Sequence, residues 1–193
     1  MHKIEPETFC PASQQEWRQW LLENHSSKQS VWLIYSKKKA NNPTLTWTQA
    51  VDEALCFGWI DSKAKPLDDE KYLQFFCQRK PNSGWSKINK LKVEQLIEQG
   101  LMTKAGCESI EKAKQNGSWN ILDDVEELVI PDDLEKEFNI HPGSKEFFMN
   151  LSKSVKKQML HWLVQAKKLE TRQKRINIIT ESAAKKQKPE QFR

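Results

Sequence analysis

The sequence predicts an α+β protein: a small antiparallel sheet with helices over residues 1–85, then a helical half over residues 86–193. Three observations carry that prediction. Three runs dense in β-branched and aromatic residues, SVWLIYS, WIDSKAK and KYLQFFCQR, all fall before residue 80. Ser or Thr stands just ahead of apolar residues at helical spacing at Ser13, Thr46, Ser86, Thr103 and Ser152. Beyond Ser86 the pattern keeps the helical period.

Ser13-Gln-Gln-Glu16 has the form of a capping box, in which the serine oxygen accepts from the third amide and the glutamate reaches back. Trp17, Trp20 and Leu21 then share one helical face, so a first helix is expected through Asn24. The run SVWLIYS reads as a strand, closed by Lys37, Lys38 and Lys39 as a charged end or edge would be. Thr46-Trp-Thr-Gln49 is a second capping box. It opens a helix that buries Ala50, Val51, Ala54, Leu55 and Phe57 and stops at Gly58, which tolerates the left-handed conformation. Two strands follow across the polar turn Pro66–Glu70.

Helices are next expected from Ser86 to Gly100, from Thr103 to Gly117, and over Leu134–Phe138 after the acidic run DDVEELVIPDD. His141-Pro-Gly interrupts the chain. A helix from Ser152 places Val155, Met159, Trp162 and Ala166 on one face. A last helix from Thr171 carries Ile176, Ile179 and Ala183, and residues 186–193 are expected to fray. The two halves are expected to pack as one compact unit of 193 residues.

Apolar residues make up 37 % of the chain and charged residues 30 %, while eight tryptophans and eight phenylalanines compensate with large rings. An aromatic-rich core is therefore expected. No uncharged apolar run approaches the roughly 20 residues that cross a bilayer, and MHKIEPETFCPAS has acids where a signal peptide is apolar. The expectation is a cytoplasmic protein without a membrane span. Cys10, Cys56, Cys77 and Cys107 form no Cys-x-x-Cys pair, and the four histidines show no ligand spacing, so no metal site, disulfide framework or cofactor is expected. Cys56, between Leu55 and Phe57, reads as a buried and inert thiol.

The net charge of +5 is unevenly spread. From Ser152 onward the chain carries +9, and residues 1–151 carry −4. Such an asymmetry suits either an internal match of charges or an anionic partner.

Five stretches in order, TWTQAVDEALCFGWIDS, RKPNSGWSKIN, LIEQGLMTKAG, WNILDDVEELVIPDDL and AKKLETRQKRI, resemble the bacterial YdeI/OmpD-associated proteins, also labelled bacteriocin-protection or OmdA-like. The resemblance runs from about Val31 to Ile176. Relatives often carry glycine where Ser62 stands. It implies a bacterial, cytoplasmic protein of mixed α and β structure with a helical C-terminal region. It also implies a link to bacteriocin or cationic-peptide resistance and to an outer-membrane porin. It supplies no catalytic residues.

For function the most informative stretch is RKPNSGWSKIN, residues 79–89. Free amides at a helix start attract anions, and Arg79 can grip a carboxylate or phosphate with two bonds. Lys87 and Lys90 stand in the first turns, against the helix dipole. The candidate site is thus Arg79, Lys80, Ser83, Trp85, Ser86 and Lys87, for an anionic ligand or an acidic protein partner. The bland reading is that Ser86 caps and Trp85 fills the core. A rival reading is a small-molecule enzyme using Asp61 and Arg79 in a pocket with Trp59. A third is nucleic-acid binding through the basic C-terminal helix with Lys168, Arg172 and Arg175, although the tail lacks the interleaved aromatic residues of single-strand binders. Arg172 and Arg175 are alternatively expected to clamp the acidic run Asp123–Glu127.

Overall fold

A computed structural model describes residues 7–36 and 45–193, so Lys37–Lys39 lie outside the described residues. The chain forms two compact units, Met1–Trp119 and Asn120–Arg193.

The first unit begins with β1 (Thr8–Phe9), followed by α1 (Gln14–Asn24), β2 (Ser30–Ser36), α2 (Trp47–Cys56), β3 (Trp59–Pro66) and β4 (Lys71–Gln78). The sheet order is β1-β2-β4-β3. The three long strands pair antiparallel, as expected, but β1 joins β2 in parallel, so the sheet is mixed. β1 has only two residues, too few for any period to register in sequence. α3 (Lys87–Glu98) and α4 (Lys104–Gln115) complete this unit. They are helical, as residues beyond 86 are expected to be, and their Val93, Leu96, Ile110 and Ala113 join the core shared with the sheet.

Local chemistry explains most element starts. The Thr46 hydroxyl accepts from the Gln49 amide while Gln49 accepts from the Thr46 amide, completing the capping box. At α1 the Ser13 hydroxyl accepts from Glu16, but Glu16 reaches one residue further back, to the Ala12 amide at 2.6 Å. Ser86 and Thr103 cap α3 and α4 through Asn89 and Gly106. Each strand alternates across the sheet, so Val31, Leu33 and Tyr35 of β2 meet Phe76, Gln74 and Tyr72 of β4 on the face toward the core. There Trp17 and Trp20 stack at 5.2 Å, Trp17 meets Phe76 edge-on, and Trp20 meets Trp59. The indole N–H of Trp17 donates to the Ala50 carbonyl and that of Trp59 to the His25 carbonyl, so large rings are buried without orphaning their donors.

One buried charge sits in this core. Glu53, 5 % exposed, accepts from Arg18 at 2.6 Å and from Gln14 at 2.7 Å. The Arg18 guanidinium also donates to the Leu101 carbonyl and lies over Phe57.

The second unit is helical: α5 (Asp123–Glu126), α6 (Asp132–Ile140), α7 (Ser144–Met149), α8 (Lys153–Val164) and α9 (Leu169–Ala184), then a 3-10 turn at Glu190–Phe192. The short α5 and α7 are additions to the sequence reading. Leu134, Phe138, Phe148, Ile176 and Ile179 are buried together. In α8 Met159, Leu160 and Leu163 are buried and Val155 and Trp162 pack partly against the same core, so the inward stripe is wider than the expected face, and Ala166 lies beyond the end of the helix. Trp162 is further covered by Phe192 at 5.6 Å and by the Arg175 guanidinium at 4.9 Å. The end of the chain, read from sequence as a frayed tail, thus carries a turn seated on α8, with Pro189 buried.

Candidate functional site: a cleft at Arg79

The site is built where three chain turns meet the first half of α4. Gly58 stands after α2 with φ +72, a conformation that favours glycine. A β-carbon there would lie 3.1 Å from both the Ala105 carbonyl oxygen and Ser109 Cβ. The Gly58 carbonyl accepts from the Arg79 amide at 2.9 Å, which places the end of β4 beside the α2–β3 turn. Gln78, paired with Trp59 across the sheet, donates from its side chain to the carbonyls of His25 and Lys28, both at 2.9 Å. The α1–β2 turn is thereby fixed to the same corner. Thr103 completes the frame by donating its amide and its hydroxyl to the Cys56 carbonyl, at 3.1 and 2.6 Å.

Between these elements lies an open cleft of about 470 Å³. Phe57, Trp59, Pro81 and Ala105 supply its apolar lining, while Arg79, Lys112, His25, Ser26, Ser109 and Glu108 supply its polar groups. Polar and apolar groups thus share the lining about equally.

Arg79 is the electrostatic centre. Its Nη2 donates to the Gly84 carbonyl at 2.7 Å, and its central carbon sits 3.7 Å from the Trp85 ring centroid. A cation over an indole face gains about 1–2 kcal/mol when partly desolvated. No carboxylate pairs with it among the described residues, and its Nε and Nη1 make no hydrogen bond there. Burial pulls its pKa down to about 10, because a half-buried guanidinium loses hydration without gaining a counter-charge. The loop that follows is anchored to the end of α4: Asn116 and Ser118 side chains both donate to the Pro81 carbonyl at 2.9 Å.

Of the residues singled out in sequence, only Arg79 and Trp59 line this cleft. Trp85 is 1 % exposed and belongs to the core, Ser86 is occupied as the cap of α3, and Ser83 donates to the Lys80 carbonyl. Lys80 and Lys87 are exposed. Asp61 is not among the residues lining the cleft. Its carboxylate accepts from Trp47 Nε1 at 2.9 Å and Gln74 Nε2 at 3.1 Å. His25, Ser109 and Lys112 were not identifiable in sequence, because they come from other turns and helices and only the fold brings them to Arg79.

In the second unit, Arg172 binds Asp133 with two nitrogens, one at 2.9 Å, and donates to the Leu163 carbonyl. This corrects the expected clamp on Asp123–Glu127. Lys157, not Arg172, pairs with that run, at Glu126. Arg175 donates to the Trp162 carbonyl, and Lys168 is exposed at the start of α9. Both arginines are therefore engaged inside their own unit. Among the described residues no cluster of three or more His, Cys, Asp or Glu side chains is placed to hold a metal, and no helix is long and apolar enough to cross a membrane.

The architecture is that of a mixed α+β unit with a charged cleft, followed by a helical unit. Residues 9–109 match the family model described as a domain of unknown function, DUF8412, and residues 127–186 match that described as Bacteriocin-protection, YdeI or OmpD-Associated. The chain belongs to the first family, whose model spans more than half of it, and its helical unit carries the YdeI/OmpD-associated region that the sequence resembles. Searches of curated proteins and of solved structures each returned no match.

Proposed function

We propose that this is a non-enzymatic binding protein whose first unit holds a small anionic ligand on Arg79 in the cleft between the α2–β3 turn and α4. The observation that carries the reading is the half-buried Arg79 guanidinium, set in a cleft and unmatched by any carboxylate among the described residues. Partial burial of a cation costs free energy that an anion bound beside it offsets. Edges of the guanidinium stay available while Trp85 and Gly84 hold it still, which is the preorganisation a binding site needs. Asp61, engaged by Trp47 and Gln74, does not supply the acid or base that the enzymatic alternative required at this cleft.

The test is a thermal-stability screen of the wild type and Arg79→Met against acetate, benzoate, inorganic phosphate, sulfate and nucleotides. A ligand present at a hundred times its dissociation constant adds about 2.7 kcal/mol to stability. Stabilisation of the wild type by an anion, lost in Arg79→Met, supports the reading. Anion-independent stability in the wild type, or equal stabilisation of both proteins, overturns it.

A further inference from the structure

We infer that the ligand of the Arg79 cleft is a singly charged carboxylate that also carries a hydrogen-bond donor, such as a hydroxyl, on a small apolar body, the donor being received by His25. This rests on the anion reading above and narrows it to one chemical class.

The tautomer of His25 follows from its neighbour. Nδ1 lies 2.9 Å from the Leu21 carbonyl oxygen, which can only accept, so Nδ1 bears the hydrogen. In the neutral ring this leaves Nε2 as a bare acceptor. The ring is held against Phe57 at 5.2 Å, and both residues line the cleft. An acceptor and a cation lining the same cleft select a ligand with an anionic end and a donor end.

The charge of the lining points to a monoanion. Arg79 and Lys112 are cationic and Glu108 is anionic, a balance of +1 with His25 neutral. Glu108 is exposed and shared with Lys104 at 3.8 Å. A nucleotide polyphosphate would bring several negative charges to a cleft that matches one. The shape of the cation favours a planar group. Trp85 covers a face of the Arg79 guanidinium, and Nη2 is already directed to Gly84, so a ligand reaches it along an edge. A carboxylate matches two parallel N–H donors there. Phe57, Pro81 and Ala105 then contact the body of the ligand, which they favour being apolar.

Calorimetric titration of the full chain with four probes tests this: benzoate, 4-hydroxybenzoate, lactate and inorganic phosphate. Wild type, His25→Ala and Arg79→Met are compared. The expected result is that the hydroxylated carboxylates bind, and that 4-hydroxybenzoate binds roughly tenfold more tightly than benzoate, the gain of one well-placed hydrogen bond. In His25→Ala that preference disappears while benzoate still binds, which also shows that the variant is folded. Arg79→Met loses all of them. If carboxylates bind through Arg79 with no preference for the hydroxyl, or if phosphate binds more tightly, this inference is overturned and the anion reading stands. If no probe binds the wild type, both fall.

Discussion

A β-carbon on Gly106 would stand 2.3 Å from the carbonyl oxygen of Cys56. That oxygen also accepts the amide and hydroxyl of Thr103, so the start of α4 is seated directly on the end of α2. The contact sets the distance between the two walls of the cleft. The β-carbon of alanine at 106 would also lie 2.7 Å from Met102 Cε, which can move aside, but the Cys56 carbonyl is backbone and cannot yield cheaply. Gly106→Ala is expected to cost about 3 kcal/mol, at the upper end of overpacking effects, and to lower the urea midpoint accordingly. Gly117→Ala makes a useful comparison. Nothing lies within 4 Å of its added carbon, so any loss there comes from the φ of +79 alone.

The Arg18–Glu53 pair should behave as a buried charge with one removable partner. In Arg18→Ala the Glu53 carboxylate, 5 % exposed, keeps only Gln14. Removing one member of a buried pair costs about 3 kcal/mol, and the partial exposure of Arg18 keeps the loss near that figure rather than above it. Arg18→Ala paired with Glu53→Gln should recover part of it. A double-mutant cycle by chemical denaturation measures both.

In the second unit the hydrogen bonds from Arg172 hold the Asp133 carboxyl below its ordinary value of 3.8. A carboxylate with a lowered pKa in the folded state stabilises the fold above the ordinary value, and that contribution is lost as the pH falls through the lowered one. Asp133→Asn should therefore destabilise by only about 1 kcal/mol at neutral pH, since the pair is partly solvated. The gap between variant and wild type should close as the pH drops below 3.8. Thermal unfolding at a series of pH values reads this directly, and a gap that persists in acid would show that the pair acts through packing.

The thiols should react in three classes. Cys10 and Cys107 are exposed, Cys77 is half-buried and Cys56 is buried. Burial pushes the Cys56 thiol up to about 11, with Arg18 opposing the shift only in part. Fast labelling by a chromogenic disulfide at pH 8 is expected at the first two, slower labelling at Cys77, and labelling of Cys56 only on unfolding. Reaction of Cys56 in the native protein would contradict its placement in the core.

Phe192→Ala should destabilise the second unit by about 1 kcal/mol, the worth of a half-buried aromatic contact. The same change should expose the chain after Lys186 to trypsin. Equal stability and equal protease resistance would mean that the terminal turn adds nothing to α8.

The caps and long strands were legible because each is written within a few residues: a serine or threonine, an acid or amide three positions on, an alternating run. What was illegible is non-local or very short. Two residues of β1 and six of α7 carry no measurable period. α8 turns a wide apolar stripe inward, and its own sequence does not say that Leu160 and Leu163 are buried with Met159 or that Phe192 covers Trp162 at the edge. Arg172 had two acidic runs to choose from, and only the fold brings Asp133 to it. At the site, Arg79 stood out as a side chain able to grip a carboxylate or phosphate with two bonds. The adjacent Ser86 suggested a helix-start site, whereas the cleft opens toward His25 and α4, separated from Arg79 by tens of residues in the chain.

The tryptophans are partitioned as the chain is. Seven of the eight lie within Met1–Trp119, and Trp162 alone lies within Asn120–Arg193. The two units are therefore optically distinct. Emission from a Trp162→Phe protein comes wholly from the unit that holds the cleft. The stacked Trp17 and Trp20 should give that unit an exciton signature in circular dichroism that the helical unit lacks. A single melting curve recorded at two wavelengths can thus show whether the halves of this chain lose their structure together or in turn.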